Sequence, residues 1–119
     1  MLSLNCPLLD GYHEQSETLL SSFDFAHFEA SFLHLIDYTK EHFAHEESLM
    51  QAHNFYGYRE HCDEHHTILA EMQRFYDMAL LGNTLFAKNY IKSGIAERFD
   101  VHIRTIDSQL AMFLKRQDL

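Results

Sequence analysis

Proline occurs once in this chain, at Pro7, and glycine four times in 119 residues. Little downstream of Pro7 interrupts a helix, and so few turn formers argue against a fold of many short strands. Apolar residues recur instead at three- and four-residue steps, the spacing of helices with one buried face. A short helix follows Pro7 with Leu9, His13 and Leu20, and Asp10 is its expected N-cap. The second carries Phe32, Leu35, Ile36, Thr39, Phe43, Leu49 and Met50, and the third Tyr58, Leu69, Met72, Phe75 and Tyr76. Gly82-Asn83 then breaks the pattern, and Thr84 is the expected cap of a fourth helix with Ile91, Ile95, Ile106, Leu110 and Phe113 on one stripe. Gly94 lies inside that stripe and should weaken it by ~1 kcal/mol relative to Ala. Residues 1–119 therefore read as one all-α domain, an antiparallel up-down-up-down four-helix bundle.

Charge removes several classes of function. Nine basic residues against 18 acidic ones leave a net charge of −9, where nucleic acid or an anionic membrane needs a basic face. The start of the chain has no basic segment followed by an apolar one, and no apolar run approaches the ~18 residues of a membrane span. Cys6 and Cys62 are too few for a disulfide framework and lack zinc-site spacing. These features lead to the expectation of a cytoplasmic protein with reduced thiols.

The ten histidines need a separate explanation. Several stand where a core residue is expected. His42 and Glu46 are four apart between Thr39 and Leu49, and His61 and His65 are four apart on the side of Tyr58 and Met72. His102 follows Ile95 on its stripe with Asp107 five residues later, and His13 is one turn beyond Leu9. Burying such groups without partners is costly, so something in the core must satisfy them. His27, His34, His45, His53 and His66 read as ordinary: the first and fourth sit near turns, and His45 and His66 are rotated ~100° from their ligand-like neighbours.

In antiparallel neighbours, residues at one height are equidistant from the turn between them. His13 and His42 have their midpoint at the FDFAH stretch (residues 23–27), Glu46 and His61 at His53-Asn54, and His65 and His102 beside Gly82-Asn83. All three midpoints coincide with expected turns, so these six residues share one level of the bundle. Five imidazoles and two carboxylates exceed the four ligands of a tetrahedral zinc ion. Two metals fit better, although no His has Glu three residues before it, which disfavours the usual carboxylate-rich di-iron arrangement. With two octahedral ions, five imidazoles, two bridging carboxylates and one solvent-derived bridge fill every position but one. Imidazole with carboxylate suits iron and leaves zinc, nickel or copper open.

DYTKEHFAHEESLM (residues 37–50), HCDEH (residues 61–65) and HIRTID (residues 102–107) resemble the bacterial branch of the hemerythrin family. Its pattern is a His on the first helix, His-x-x-x-Glu on the second, His-x-x-x-His on the third and His-x-x-x-x-Asp on the fourth. Here these are His13, preceded by Asp10, then His42 with Glu46, His61 with His65, and His102 with Asp107. The resemblance implies a non-haem centre of two iron ions that binds O2 reversibly. It implies that His61, His65 and His102 hold one iron and His13 and His42 the other. Glu46 and Asp107 then bridge the two, and the open position lies on the second iron. The chain departs from the family in having no Trp, with Arg98 in place of a fourth-helix Trp and Phe99 in place of a smaller aliphatic residue.

The resemblance further implies an oxygen carrier, store or sensor. In the sensor reading, the natural chain continues beyond Leu119 into a signalling output domain. The alternative is a di-iron enzyme: peroxidase-like, handling nitric oxide, or repairing iron centres. A helical protein that binds zinc or no metal is the third reading.

Overall fold

The computed structural model describes residues 3–117, which are helical apart from the turns and contain no strand among the described residues. Helix α1 spans Pro7–Ser21, α2 Phe28–Ala52 and α3 Tyr58–Leu80. The fourth rod is built of α4 (Thr84–Asn89), α5 (Ile95–His102) and α6 (Ser108–Arg116). Tyr90–Gly94 and Ile103–Asp107 join these pieces as π turns, and the residues at the junctions keep right-handed helical dihedrals. The chain thus forms four rods in a body of 47 × 24 × 19 Å, and a four-helix bundle fits this arrangement.

Two expected caps are displaced. Pro7 is the first residue of α1, where its missing N–H costs nothing, so Cys6 takes the cap position and Asp10 falls within the first turn. The Asp10 carboxylate accepts hydrogen bonds from the backbone N–H groups of Leu4 and Cys6, at 3.0 and 3.1 Å, and so ties down the segment before the helix. Before α4, Asn83 rather than Thr84 has non-helical dihedrals, and neither α1 nor α4 has a side-chain cap. The turn closes by Gly82 N–H to the Ala79 carbonyl and Asn83 N–H to that of Met78, with Gly82 at φ +91°. A side chain is strained at that dihedral, which accounts for glycine there.

Gly94 ends the first π turn, and a Cβ there would lie 3.1 Å from Cδ1 of Tyr90. That ring is buried and stacked on Phe75, with centroids 4.2 Å apart and planes at 7°. The glycine makes room for this stack, so its cost in helix propensity is offset by packing.

The core consists of two apolar clusters. One gathers Phe28, Phe32, Leu35, Ile36, Phe43, Ile68, Met72, Ala79, Ala87, Tyr90, Ile91 and Ile95. The other gathers Cys6, Leu9, Met50, Phe55, Cys62, Leu110, Ala111 and Leu114, both cysteines being free. Glu46 on α2, and His102 and Asp107 on the fourth rod, come between them in chain order, and both rods pass from the first cluster to the second. On α3 the order is reversed. Leu9 of the second cluster likewise precedes His13 on α1, with Leu19 and Leu20 packed against the first cluster beyond it. A polar layer therefore lies between two dry ones. Among the described residues, no helix is long and apolar enough to cross a membrane.

Candidate metal centre

His13, His42, Glu46, His61, His65, His102 and Asp107 are all buried, and both acids are 0 % exposed. Four-residue spacing explains the pairs on α2 and α3, since such positions share one face of an α-helix. The five-residue spacing of His102 and Asp107 does not, because an α-helix would set them ~140° apart. The π turn over Ile103–Asp107 corrects this, since its wider coil returns to the same face after five residues.

The seven side chains form two overlapping groups able to hold a metal ion. Glu46, His61, His65, His102 and Asp107 make one, and His13, His42, Glu46 and Asp107 the other. Both acids belong to both groups, and each divides its oxygens between the histidine sets. Glu46 Oε1 lies 3.0 Å from Nε2 of both His61 and His65. Its Oε2 lies 2.8 Å from Nε2 of His42 and 3.8 Å from that of His13. Asp107 Oδ1 is 3.0 Å from His61 Nε2 and 3.1 Å from His102 Nε2, whereas its Oδ2 is 2.9 Å from His13 Nε2.

Electrostatics follow from this packing. Burial opposes a charged imidazole at His13 and His61, but hydrogen bonding to Asp107 and then Glu46 outweighs it and raises both pKa values to about 9. Burial likewise opposes charge on Glu46, yet His13, His42, His61 and His65 together hold its pKa well below the ordinary carboxylate value. Asp107 feels both burial and the charge of Glu46, and His102 and His13 still pull it below its ordinary range. Without a metal, acid–imidazole attraction alone compensates the buried charges.

Hydrogen bonding does not satisfy the whole set. His102 Nε2 and Asp107 Oδ1 are buried without a hydrogen-bond partner, although they face each other at 3.1 Å. Buried polar atoms normally find partners. Lone pairs from several residues converging on one spot, with hydrogen bonds unmade, suit a cation between them. The donor set therefore fits a bound metal, and imidazole with carboxylate is the chemistry of iron, zinc and their neighbours.

A second ring of residues orients the first. Glu47 Oε2 is 2.9 Å from Nδ1 of His65. Glu64 Oε1 is 3.6 Å from Nδ1 of His102 and 2.7 Å from Nη1 of Arg98. Burial raises the pKa of Glu64, but Arg98 more than reverses this and holds it low. Asp10 Oδ1 lies 4.0 Å from His13 Nδ1. Carboxylates on the outer nitrogen fix the orientation of a ligating ring. The Phe43 ring stacks on His65 at 3.8 Å and 3°, and Tyr12 stacks on His42 at 5.2 Å. Sequence reasoning did not find Glu47, Glu64 or Tyr12. The first two are immediate neighbours of Glu46 and His65, and only their contacts mark them among many acids.

The remaining histidines lie outside the cluster. His27, His34 and His66 are exposed, while His45 and His53 are half-buried. His27 pairs with Asp24 at 2.8 Å, and His45 stacks on Tyr12 at 4.6 Å. Arg98 is spent on Glu64 and Glu71. Phe99 lines a cavity of about 290 Å³ that reaches His13, His42, His102 and Asp107.

Searches against protein-family models, curated proteins and solved structures found no match for this chain.

Proposed function

We propose that this chain is a hemerythrin-like, antiparallel up-down-up-down bundle that binds O2 reversibly at a non-haem centre of two iron ions. One observation carries the reading: Glu46 and Asp107 each turn one oxygen to the His61–His65–His102 side and the other to the His13–His42 side. Such a division is what two bridging carboxylates require. The reversal of cluster order from one rod to the next supports the antiparallel path.

In this reading His61, His65 and His102 hold one ion, and His13 and His42 the other. A pair of iron ions would supply the change of oxidation state on which reversible O2 binding depends. The protein's own contribution is positioning and exclusion of water. Glu47 and Glu64 keep the rings of His65 and His102 turned inward. Phe43 and Phe99 give the cavity apolar walls beside the two-histidine side, where a small ligand has access. The two apolar clusters limit contact of the polar layer with solvent.

The enzyme reading draws on one further observation. Asp100 and Glu17 also line the cavity and could exchange protons with solvent. Lifetime separates the two: an oxygenated form that persists supports a carrier or sensor, and one that turns over supports an enzyme. The decisive experiment counts metal per chain and records the visible spectrum under nitrogen and again after air is admitted. Two irons and an oxygen-dependent band that disappears on deoxygenation are expected. Metal-free protein, or protein holding a single zinc with no response to air, overturns the proposal.

A further inference from the structure

Ser16 lies one helical turn beyond His13 on α1 and is 6 % exposed. Its hydroxyl is buried and has no hydrogen-bond partner. Serine and threonine on a helix commonly donate to the carbonyl one turn back. Thr39, the other buried aliphatic hydroxyl among the described residues, does so to Leu35 at 2.8 Å. The exposed Thr18, Thr67 and Thr105 do likewise. Ser16 departs from this behaviour at the place where it lines the cavity beside His13, His42 and Asp107.

An unpaired buried hydroxyl is costly and asks for a reason. The cavity offers one. At about 290 Å³ it is far larger than the ~30 Å³ that one water occupies in the liquid, so it can hold more than a diatomic molecule. Its other polar walls are acids, which when ionised only accept, and histidines whose Nε2 atoms are turned to Glu46 and Asp107. Among the described residues, Ser16 carries the only hydroxyl on a lining side chain.

We propose that Ser16 determines specificity in this cavity: its hydroxyl donates a hydrogen bond to the outer atom of a small ligand ending in an acceptor. The ligands so favoured are those of two or three heavy atoms with a polar far end, over apolar ligands of equal size. The inference rests on the reading of the adjacent cluster as a metal centre.

Azide, a linear triatomic anion, is the probe. It is titrated into the iron-loaded full chain and into Ser16→Thr, Ser16→Val and Ser16→Ala, with metal content and thermal midpoint measured alongside. Thr and Val have nearly the same shape, so their comparison isolates the hydroxyl, and Ala removes it with the least change of volume. Metal content is expected to be equal in all four proteins. Azide affinity should fall roughly tenfold in the Val and Ala variants and be kept by Thr, as expected for one hydrogen bond to a charged ligand. The infrared stretch of bound azide should shift in the Val and Ala variants and return with Thr. Unchanged affinity and band in both Val and Ala variants overturn the role of Ser16 while leaving the metal centre standing, as does an equal loss in Thr and Val. Wild-type protein that takes up no metal overturns both.

Discussion

Asp107 Oδ1 lies 3.1 Å from Nε2 of His102, although five residues separate the two on one continuous rod. The π turn over Ile103–Asp107 makes that approach possible, and it also carries Asp107 within 2.9 Å of His13 on α1. A local change of helical pitch thus closes the polar layer around its two acids.

Glu46 meets four histidines, so its loss should be felt on both sides of the centre. Glu46→Ala is expected to abolish metal uptake, and His65→Ala to lower it. His45→Ala should leave metal content unchanged, because that ring stacks on Tyr12 outside the cluster. Metal analysis of the purified variants checks this. Equal losses in all three would mean that the wrong helix face had been assigned.

Glu47 Oε2 lies 2.9 Å from the outer nitrogen of His65 and belongs to neither group of candidate ligands. Glu47→Ala should therefore leave the fold intact and weaken metal retention by about 10- to 100-fold, the usual effect of removing such a partner. Competition with a chelator of known affinity measures it. A lower thermal midpoint of the metal-free variant than of the metal-free parent would assign Glu47 a structural role instead.

Metal removal should destabilise the chain. An ion bound by the folded chain and not by the unfolded one adds ~2.7 kcal/mol when its free concentration is 100 times the dissociation constant. Chelated protein is therefore expected to unfold at a lower temperature than metal-loaded protein, with the difference growing as free metal rises. Coincident melting curves would contradict a metal site among these buried residues.

Gly94→Ala tests the first π turn. Propensity alone predicts a gain of ~1 kcal/mol. The added Cβ, however, would stand 3.1 Å from a Tyr90 ring pinned against Phe75, and crowding of this kind costs ~1–3 kcal/mol. The expected outcome is a net loss of about 1 kcal/mol in denaturant unfolding. A variant more stable than wild type would show that the Tyr90 ring yields.

What was legible in the sequence is what depends on spacing along one chain. Periodicity marked the four helical stretches. Four-residue steps marked His42 with Glu46 and His61 with His65, and the expected turn positions matched six of the seven polar residues in height, Asp107 being marked by its place after His102. Cap positions were harder to read: Pro7 moved the start of α1 ahead of Asp10, and Asn83 displaced Thr84. Tertiary structure alone decided which surfaces meet. The π turns were not read from periodicity, which ran the fourth stretch as one regular helix, although the five-residue step from His102 to Asp107 was a sign of the second. The turning of each acid's two oxygens to different histidine sets, the pairing of Glu47 with His65, and the placement of Ser16 against a cavity all join residues distant in the chain. Local propensity carries no information about such contacts, since each is fixed by the side chain that another helix brings to it.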